Sequence, residues 1–379
     1  MLCAVFLGLV IWALGQPREL FAQRAGTTTA PELEANAAEL IPVAGPAQAA
    51  PAPAATAAAN RTVTLDVVVT DKSGKAIAGL QPGDFKVLDN KQPRNIESLH
   101  EAAGANAAAD PPLEVYLLVD TVNPGTEVIA NEGRNLVDYL QHSGDHLALS
   151  TSFIFFTVDG LKFQQQPTHD PKVLLANLES NPIGQRTFHG SAGFESQVQM
   201  REKSLQALNL LAVTLSRRPG RKFVVWITTG WQAFPDLSSQ KTAQEYQQLF
   251  NYIVSLSTAL REARITLYSV DPQGAAEGGA NVKNSYYQDF LKGVASPKQA
   301  DNGDLFLPVI ATQTGGKVLY GSNDTAKMID QCLADAETYY AVTVDAPAAT
   351  HESEYHGIQI QIDKPGLKAR TITGYYAQP

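Results

Sequence analysis

The sequence predicts an α/β protein: a doubly wound, mostly parallel sheet inserted in a split antiparallel β-sandwich formed by the N- and C-terminal flanks. Three observations predict it. Between residues 113 and 337, short apolar runs alternate with segments of helical spacing, the order expected of a parallel sheet with helices on its faces. The flanks, 61–103 and 338–379, alternate with a period of two and show no helical spacing. Each flank is too short to bury a sizeable core alone, so the two are expected to pair.

The elements follow in order. TVTLDVVVTD (62–71) is β-branched and alternating, as a half-buried strand is. After the turn at SGK (73–75), a strand is expected at Phe85–Leu88 and a third at NIESLHEA (95–102). GANAAADPP (104–112) is a breaker-rich linker. LEVYLLVD (113–120) and KFVVWITT (222–229) carry uninterrupted apolar runs at 115–119 and 223–227, like central parallel strands buried on both faces. HLALSTSFIFF (146–156), ITLYSVD (265–271) and GKVLY (316–320) complete the predicted sheet.

Helices are predicted at Glu127–Leu140, at 196–216, at 240–262, at 305–316 and at Thr325–Glu337. The third is clearest, with Tyr246, Leu249, Phe250, Ile253 and Leu260 on one face. The C-terminal strands are expected at TYYAVTVDA (338–346), GIQIQID (357–363) and ARTITGYY (369–376).

The chain has 379 residues, 44% hydrophobic and 18% charged, which supports a packed core rather than disorder. The net charge of −9 argues against a nucleic-acid partner, which needs a cationic surface. Of the two cysteines, Cys3 lies in the N-terminal apolar stretch and Cys332 in an apolar helical stripe. Cys332 reads as a buried core thiol.

Residues 2–14 (LCAVFLGLVIWAL) are apolar but shorter than the roughly 20 residues that span a bilayer. We read 1–22 as a signal peptide, the alternatives being an uncleaved anchor or a start codon further upstream. Residues 23–60, rich in Ala and Pro, read as a disordered linker. The expectation is an exported protein, periplasmic or extracellular, with no membrane span beyond a possible uncleaved leader.

V-V-V-T-D-K-S-G-K with L-Q-P-G-D-F-K-V-L-D-N near the start resembles the opening of von Willebrand factor A-related proteins of the Acidobacteria type. A-T-Q-T-G-G-K-V-L-Y, Y-Y-A-V-T-V and G-Y-Y-A resemble their ending, and V-Y-L-L-V-D-T-V-N and K-F-V-V-W-I-T-T-G-W their first and fourth A-domain strands. The resemblance covers residues 61–377 and implies a Rossmann-like A domain at 113–337 and export. It supplies no activity. It also implies a divalent-cation site built from Asp-x-Ser-x-Ser, a Thr from a second loop and an Asp after the fourth strand. Here the first loop reads Asp120-Thr121-Val122-Asn123-Pro124, and Thr229 stands where the second Asp is expected.

Asp120, Asn123 and Thr229 are therefore read as a relic site. Thr187 or Ser191 would supply the second-loop ligand. One carboxylate is thin for Mg²⁺ or Ca²⁺, so no cofactor is expected, and Asp120 and Asn123 are expected to cap the following helix.

Other motifs are poorer. His351 and His356 stand five apart in HESEYH, which no helix places on one face, and read as a solvated hairpin loop. His142 and His146 bracket a turn at Gly144-Asp145. DPQGAAEGGAN (271–281) reads as a surface loop. No Gly-x-Ser-x-Gly elbow or phosphate-binding loop occurs.

The leading expectation is a non-catalytic module binding a protein partner at the cell envelope, with Trp231 and Phe234, and also Tyr286 and Tyr287, as aromatic anchors. For Trp231, packing beneath its loop is an equal alternative. The competing readings are a hydrolase pairing Asp120 with a His, and a purely structural envelope component.

Overall fold

The computed structural model describes residues 61–103, 113–164, 166–181, 183, 188, 193–231, 241–274 and 286–377. The leader and linker expected at 1–22 and 23–60 lie outside the described residues. The protein is mixed α/β: a six-stranded, mostly parallel sheet accompanied by two antiparallel sheets.

The N-terminal flank contributes β1 (Thr62–Thr70), β2 (Phe85–Asp89), β3 (Gln92–Arg94) and β4 (Ile96–Ala103). The central region holds β5 (Glu114–Asp120), α1 (Thr126–His142), β6 (Ser150–Thr157), β7 (Gly160–Phe163), α2 (Pro171–Ser180) and α3 (Phe194–Ser216). It continues through β8 (Lys222–Ile227), α4 (Ala243–Glu262), β9 (Ile265–Val270), α5 (Leu307–Gln313), β10 (Val318–Leu319) and α6 (Thr325–Leu333). β11 (Thr338–Asp345), β12 (Glu354–Ile362), β13 (Lys368–Arg370) and β14 (Gly374–Ala377) form the C-terminal flank.

The large sheet runs β10-β9-β8-β5-β6-β7, parallel except for the β6–β7 hairpin. Strand alternation divides its side chains between two apolar cores. Tyr116, Leu118, Val224, Trp226 and Leu267 face α3, α4 and α5. Val115, Leu117, Val119, Phe223 and Val225 face α1, α2 and α6. Helices thus cover both faces, which is why β5 is apolar from Val115 to Val119 and β8 from Phe223 to Ile227. Cys332 is wholly buried in the second core, and burial pushes its thiol up, with Asp335 adding to the effect.

The antiparallel sheets run β13-β1-β11-β4 and β14-β12-β2-β3. Each contains two strands from either flank. Leu65 and Val67 of β1, Phe85 and Val87 of β2, Tyr340 and Val342 of β11, Ile358 of β12 and Tyr375 of β14 share one apolar core. Ala103, where β4 ends, is the register partner of Thr338, where β11 begins. The α/β region leaves and returns at adjacent strand ends.

Several boundaries differ from the sequence reading. Residues 146–149 stay outside β6, because Leu147 donates its N–H to the His169 carbonyl instead of a sheet neighbour. The helix expected at 305–316 contracts to α5, after a 3-10 turn at Asn302–Leu305. The last helix stops at Leu333 and continues as a 3-10 turn at Ala334–Ala336. Residues 369–376 divide between β13 and β14, which belong to different sheets. The reading passed over β7 and α2, although Asp170-Pro171 marks the start of α2: Asp170 accepts the Lys172 N–H and Pro171 occupies the first turn.

The flanks dock on the α/β region through aromatic residues. The Tyr376 hydroxyl donates to the Val294 carbonyl at 3.0 Å, and its ring meets Phe250 and Tyr355 edge-on. Tyr355 lies against Gly293, where a Cβ would stand 1.7 Å from its ring. Gly293→Ala is expected to cost about 1–3 kcal/mol through overpacking, read from urea unfolding. Gly83→Ala, which meets nothing within 4 Å, is expected to stay within about 0.5 kcal/mol of the parent.

Candidate functional site

Asp120 ends β5 at the C-terminal edge of the parallel sheet, the edge where open α/β folds place ligands. It is completely buried. Its Oδ1 accepts the backbone N–H groups of Val122 at 2.8 Å and Asn123 at 3.0 Å. Its Oδ2 accepts the Asn123 side-chain amide at 2.7 Å, the Thr228 hydroxyl at 2.7 Å and the Trp226 indole N–H at 3.2 Å. A carboxylate offers about four lone-pair positions, and these five donors saturate it. Burial raises the Asp120 carboxyl above its ordinary value, while the donors from Asn123, Thr228 and Val122 oppose that rise.

The surrounding loop explains why the expected ligands are missing. Val122 points into the apolar core beside Trp226 and is fully buried. Pro124 is buried as well. Asn123 bridges Asp120 to Ser204 on α3 at 3.0 Å, and its own Oδ1 is buried without a hydrogen-bond partner. One saturated carboxylate and one amide oxygen do not fit Mg²⁺ or Ca²⁺, which take six or more oxygen ligands. Among the described residues, no three His, Cys, Asp or Glu side chains are grouped to hold a metal.

Two expectations about this edge need correction. Asp120 and Asn123 do not cap α1: its N-cap is Gly125, with no side-chain cap bond. Asp120 instead clasps the loop before the helix. From the β8 loop, the hydroxyl that reaches Asp120 is that of Thr228, which is buried, and Thr229 is not among its partners. Thr187 and Ser191 lie outside the described residues.

Trp231 is also corrected as an exposed anchor. It is 6% exposed, donates its indole N–H to the Leu305 carbonyl at 3.2 Å and meets Trp226 edge-on. It packs beneath the edge of the sheet and holds the indole that serves Asp120. Phe234 lies outside the described residues, as do 275–285 of the long loop. Tyr286 and Tyr287 are half-buried.

A second acid was missed. Glu132 replaces an apolar residue in the buried stripe Ile129, Glu132, Leu136, Leu140 of α1. It is completely buried and neither carboxyl oxygen has a hydrogen-bond partner. Burial, with the Asp120 charge adding to it, pushes Glu132 well above the usual carboxylate range. Of the two acids, Asp120 with its five donors is the ionised one and Glu132 with none is the neutral one. A Glu in step with a helix's apolar face was the available sequence mark.

The histidines sit elsewhere. His356 is not in a solvated loop: β12 begins earlier than predicted and turns it inward, 3% exposed. Its Nδ1 lies 2.9 Å from Asp89, which also accepts the Tyr375 hydroxyl. His146 stacks on His169, and His142 bonds the Asp138 carbonyl in its own helix. Among the described residues no His hydrogen-bonds Asp120, the pairing the hydrolase reading required.

Thr228→Val is expected to cost about 1.5–3 kcal/mol, since it removes a bond to a buried charge. Thr229→Val is expected to fall within about 0.5 kcal/mol of the parent. Equal losses at the two positions would contradict the assignment. Glu132 gives a pH signature. Its folded value lies above its unfolded value near 4.5, so its stabilisation is full at lower pH and is lost as pH rises toward the folded value. The advantage of Glu132→Gln over the parent is therefore expected to grow between pH 5 and pH 8, by up to about 1.4 kcal/mol per pH unit. Parallel unfolding midpoints across that range would show that Glu132 is not held neutral.

No family model matches the chain, and the search of curated proteins found no significant match. Among solved structures it is similar to the human COPII-coat protein Sec24c, with 9% identity over 74% of this chain and 46% of that chain, TM-score 0.31. It is similar to the pilus adhesin SpaC from Lactobacillus rhamnosus GG, with 8% identity over 78% of this chain and 48% of that chain, TM-score 0.33. The SpRpn10 VWA domain aligns with 12% identity over 42% of this chain and 75% of that chain, TM-score 0.24. The chain spans about half the length of the first two. TM-scores this low carry no argument about function.

Proposed function

We propose that this chain is an exported von Willebrand factor A-like protein of the Acidobacteria type, its A domain carried on a split β-sandwich. It acts as a non-catalytic interaction module that binds a protein partner at the cell envelope. The observation that carries the reading is the saturated carboxylate of Asp120. An edge where open α/β folds place ligands is here closed by protein donors from Asn123, Thr228 and Trp226, and among the described residues no His pairs with Asp120 and no group of three His, Cys, Asp or Glu stands ready for a metal. Such an edge supports recognition through surface loops better than chemistry. Among the described residues no helix is long and apolar enough to cross a membrane.

Two measurements test this. In calorimetric titration with Mg²⁺, Ca²⁺ and Mn²⁺, no saturable heat is expected; saturable binding abolished by Asp120→Ala would overturn the degenerate-site reading. In affinity capture from envelope extract, the parent chain is expected to retain a partner that Thr229→Arg loses, because that change adds charge and bulk at the half-buried loop without touching Asp120's donors. Retention of nothing specific, or equal retention by both chains, would count against the module.

A further inference from the structure

The opposite edge of the parallel sheet carries a cluster of arginines. Arg221 immediately precedes β8, Arg264 immediately precedes β9, Arg261 lies in the last turn of α4 and Arg370 ends β13. All four line a cleft of about 440 Å³ between the α/β region and the β1–β11 face, with Asp66 and Glu262 as its carboxylates. That volume falls within the range of small-ligand sites, which favour such junctions.

The charges in the cleft do not balance. Asp66 is shared, 3.1 Å from Arg221 and 2.9 Å from Arg264. Glu262 stands 3.6 Å from Arg261. Arg370 pairs with the buried Asp335, which Lys317 already approaches at 2.8 Å. Among the described residues the lining thus sets four arginines against two carboxylates, with the Lys317–Asp335 pair behind Arg370, in a chain whose net charge is −9.

The donors are also incompletely used. The Nε atoms of Arg261 and Arg370 are enclosed by protein without a hydrogen-bond acceptor; the side chains are otherwise 32% and 27% exposed, so their outer guanidinium N–H groups are the ones open to the cleft. Arg221 is held in place, its guanidinium 3.7 Å from the centroid of the Tyr339 ring. Fixed, planar guanidinium forks match carboxylate and phosphate oxygens, and prior ordering reduces what binding must still immobilise.

We propose that this cleft binds a small, multiply charged oxyanion of the carboxylate or phosphate kind. The anion accepts from the accessible guanidinium N–H groups of Arg261 and Arg370 and offsets the excess positive charge. Because Arg370 belongs to the β flank and Arg261 to the α/β region, it also ties the two together, so bound ligand raises the melting temperature.

The test is calorimetric titration of the full chain at low salt with inorganic phosphate, pyrophosphate and citrate, the last distinguishing a carboxylate from a phosphate source. Saturable one-to-one binding of at least one of them is expected, with a melting temperature that climbs with its concentration. Affinity is expected to fall at least tenfold in Arg261→Ala and in Thr64→Glu. Thr64 is exposed on the cleft wall, so Thr64→Glu decides the matter if Arg261→Ala does not fold. Absence of saturable heat with all three anions, or unchanged affinity in the variants, overturns the proposal.

Discussion

The pairing of β4 with β11 is the constraint on which the rest of the architecture depends. Ala103 and Thr338 face each other across one antiparallel ladder, so the chain can depart for the α/β region and return without disturbing the sheets. The two flanks must then close around a common core, because neither buries enough apolar surface alone. Leu65, Val67, Tyr340 and Val342 supply that core from adjacent strands of opposite origin. The α/β sheet, with its own apolar cores on both faces, meets the flanks through the docking aromatics and through the ion pairs of Asp66 and Arg370.

At the C-terminal edge of the parallel sheet the polar interior is arranged around the buried carboxylate of Asp120. A buried carboxylate is stable only when its oxygens are matched by donors. Asp120 meets that condition by recruiting the loop after β5, the indole of Trp226 and the hydroxyl of Thr228. Trp231 secures the indole by packing against it. Glu132, one helix away and without donors, answers the same problem by remaining protonated. In the flanks, Asp89 follows the first course, with His356 and Tyr375 as its partners.

Much of the architecture was legible because apolar continuity and alternation report burial directly. β5 and β8 read as parallel strands because both faces are covered, and α4 read as a helix because Phe250, Ile253 and Leu260 keep helical step. The site was less legible because a strand's end is uncertain by a residue, and one residue reverses the direction of a side chain. That is the difference between Thr228 and Thr229, and it also hid the inward position of His356. Trp231 was ambiguous because burial there depends on Leu305, far away in sequence. Glu132 went unnoticed because a carboxylate in an apolar stripe can be judged only once its surroundings are known.

The adjacency of Ala103 and Thr338 also has a mechanical side. Tension applied between Arg61 and Ala377 enters the antiparallel ladders through β1 and β14, whose partners are β11, β13 and β12. The α/β region joins that path through Tyr376 of β14, which bonds the Val294 carbonyl, and through Asp66 of β1, which pairs with Arg221 and Arg264 at the edge opposite Asp120. A pull on the folded body would therefore load the flanks and the arginine edge first, and the edge around Asp120, at the other end of the strands, last.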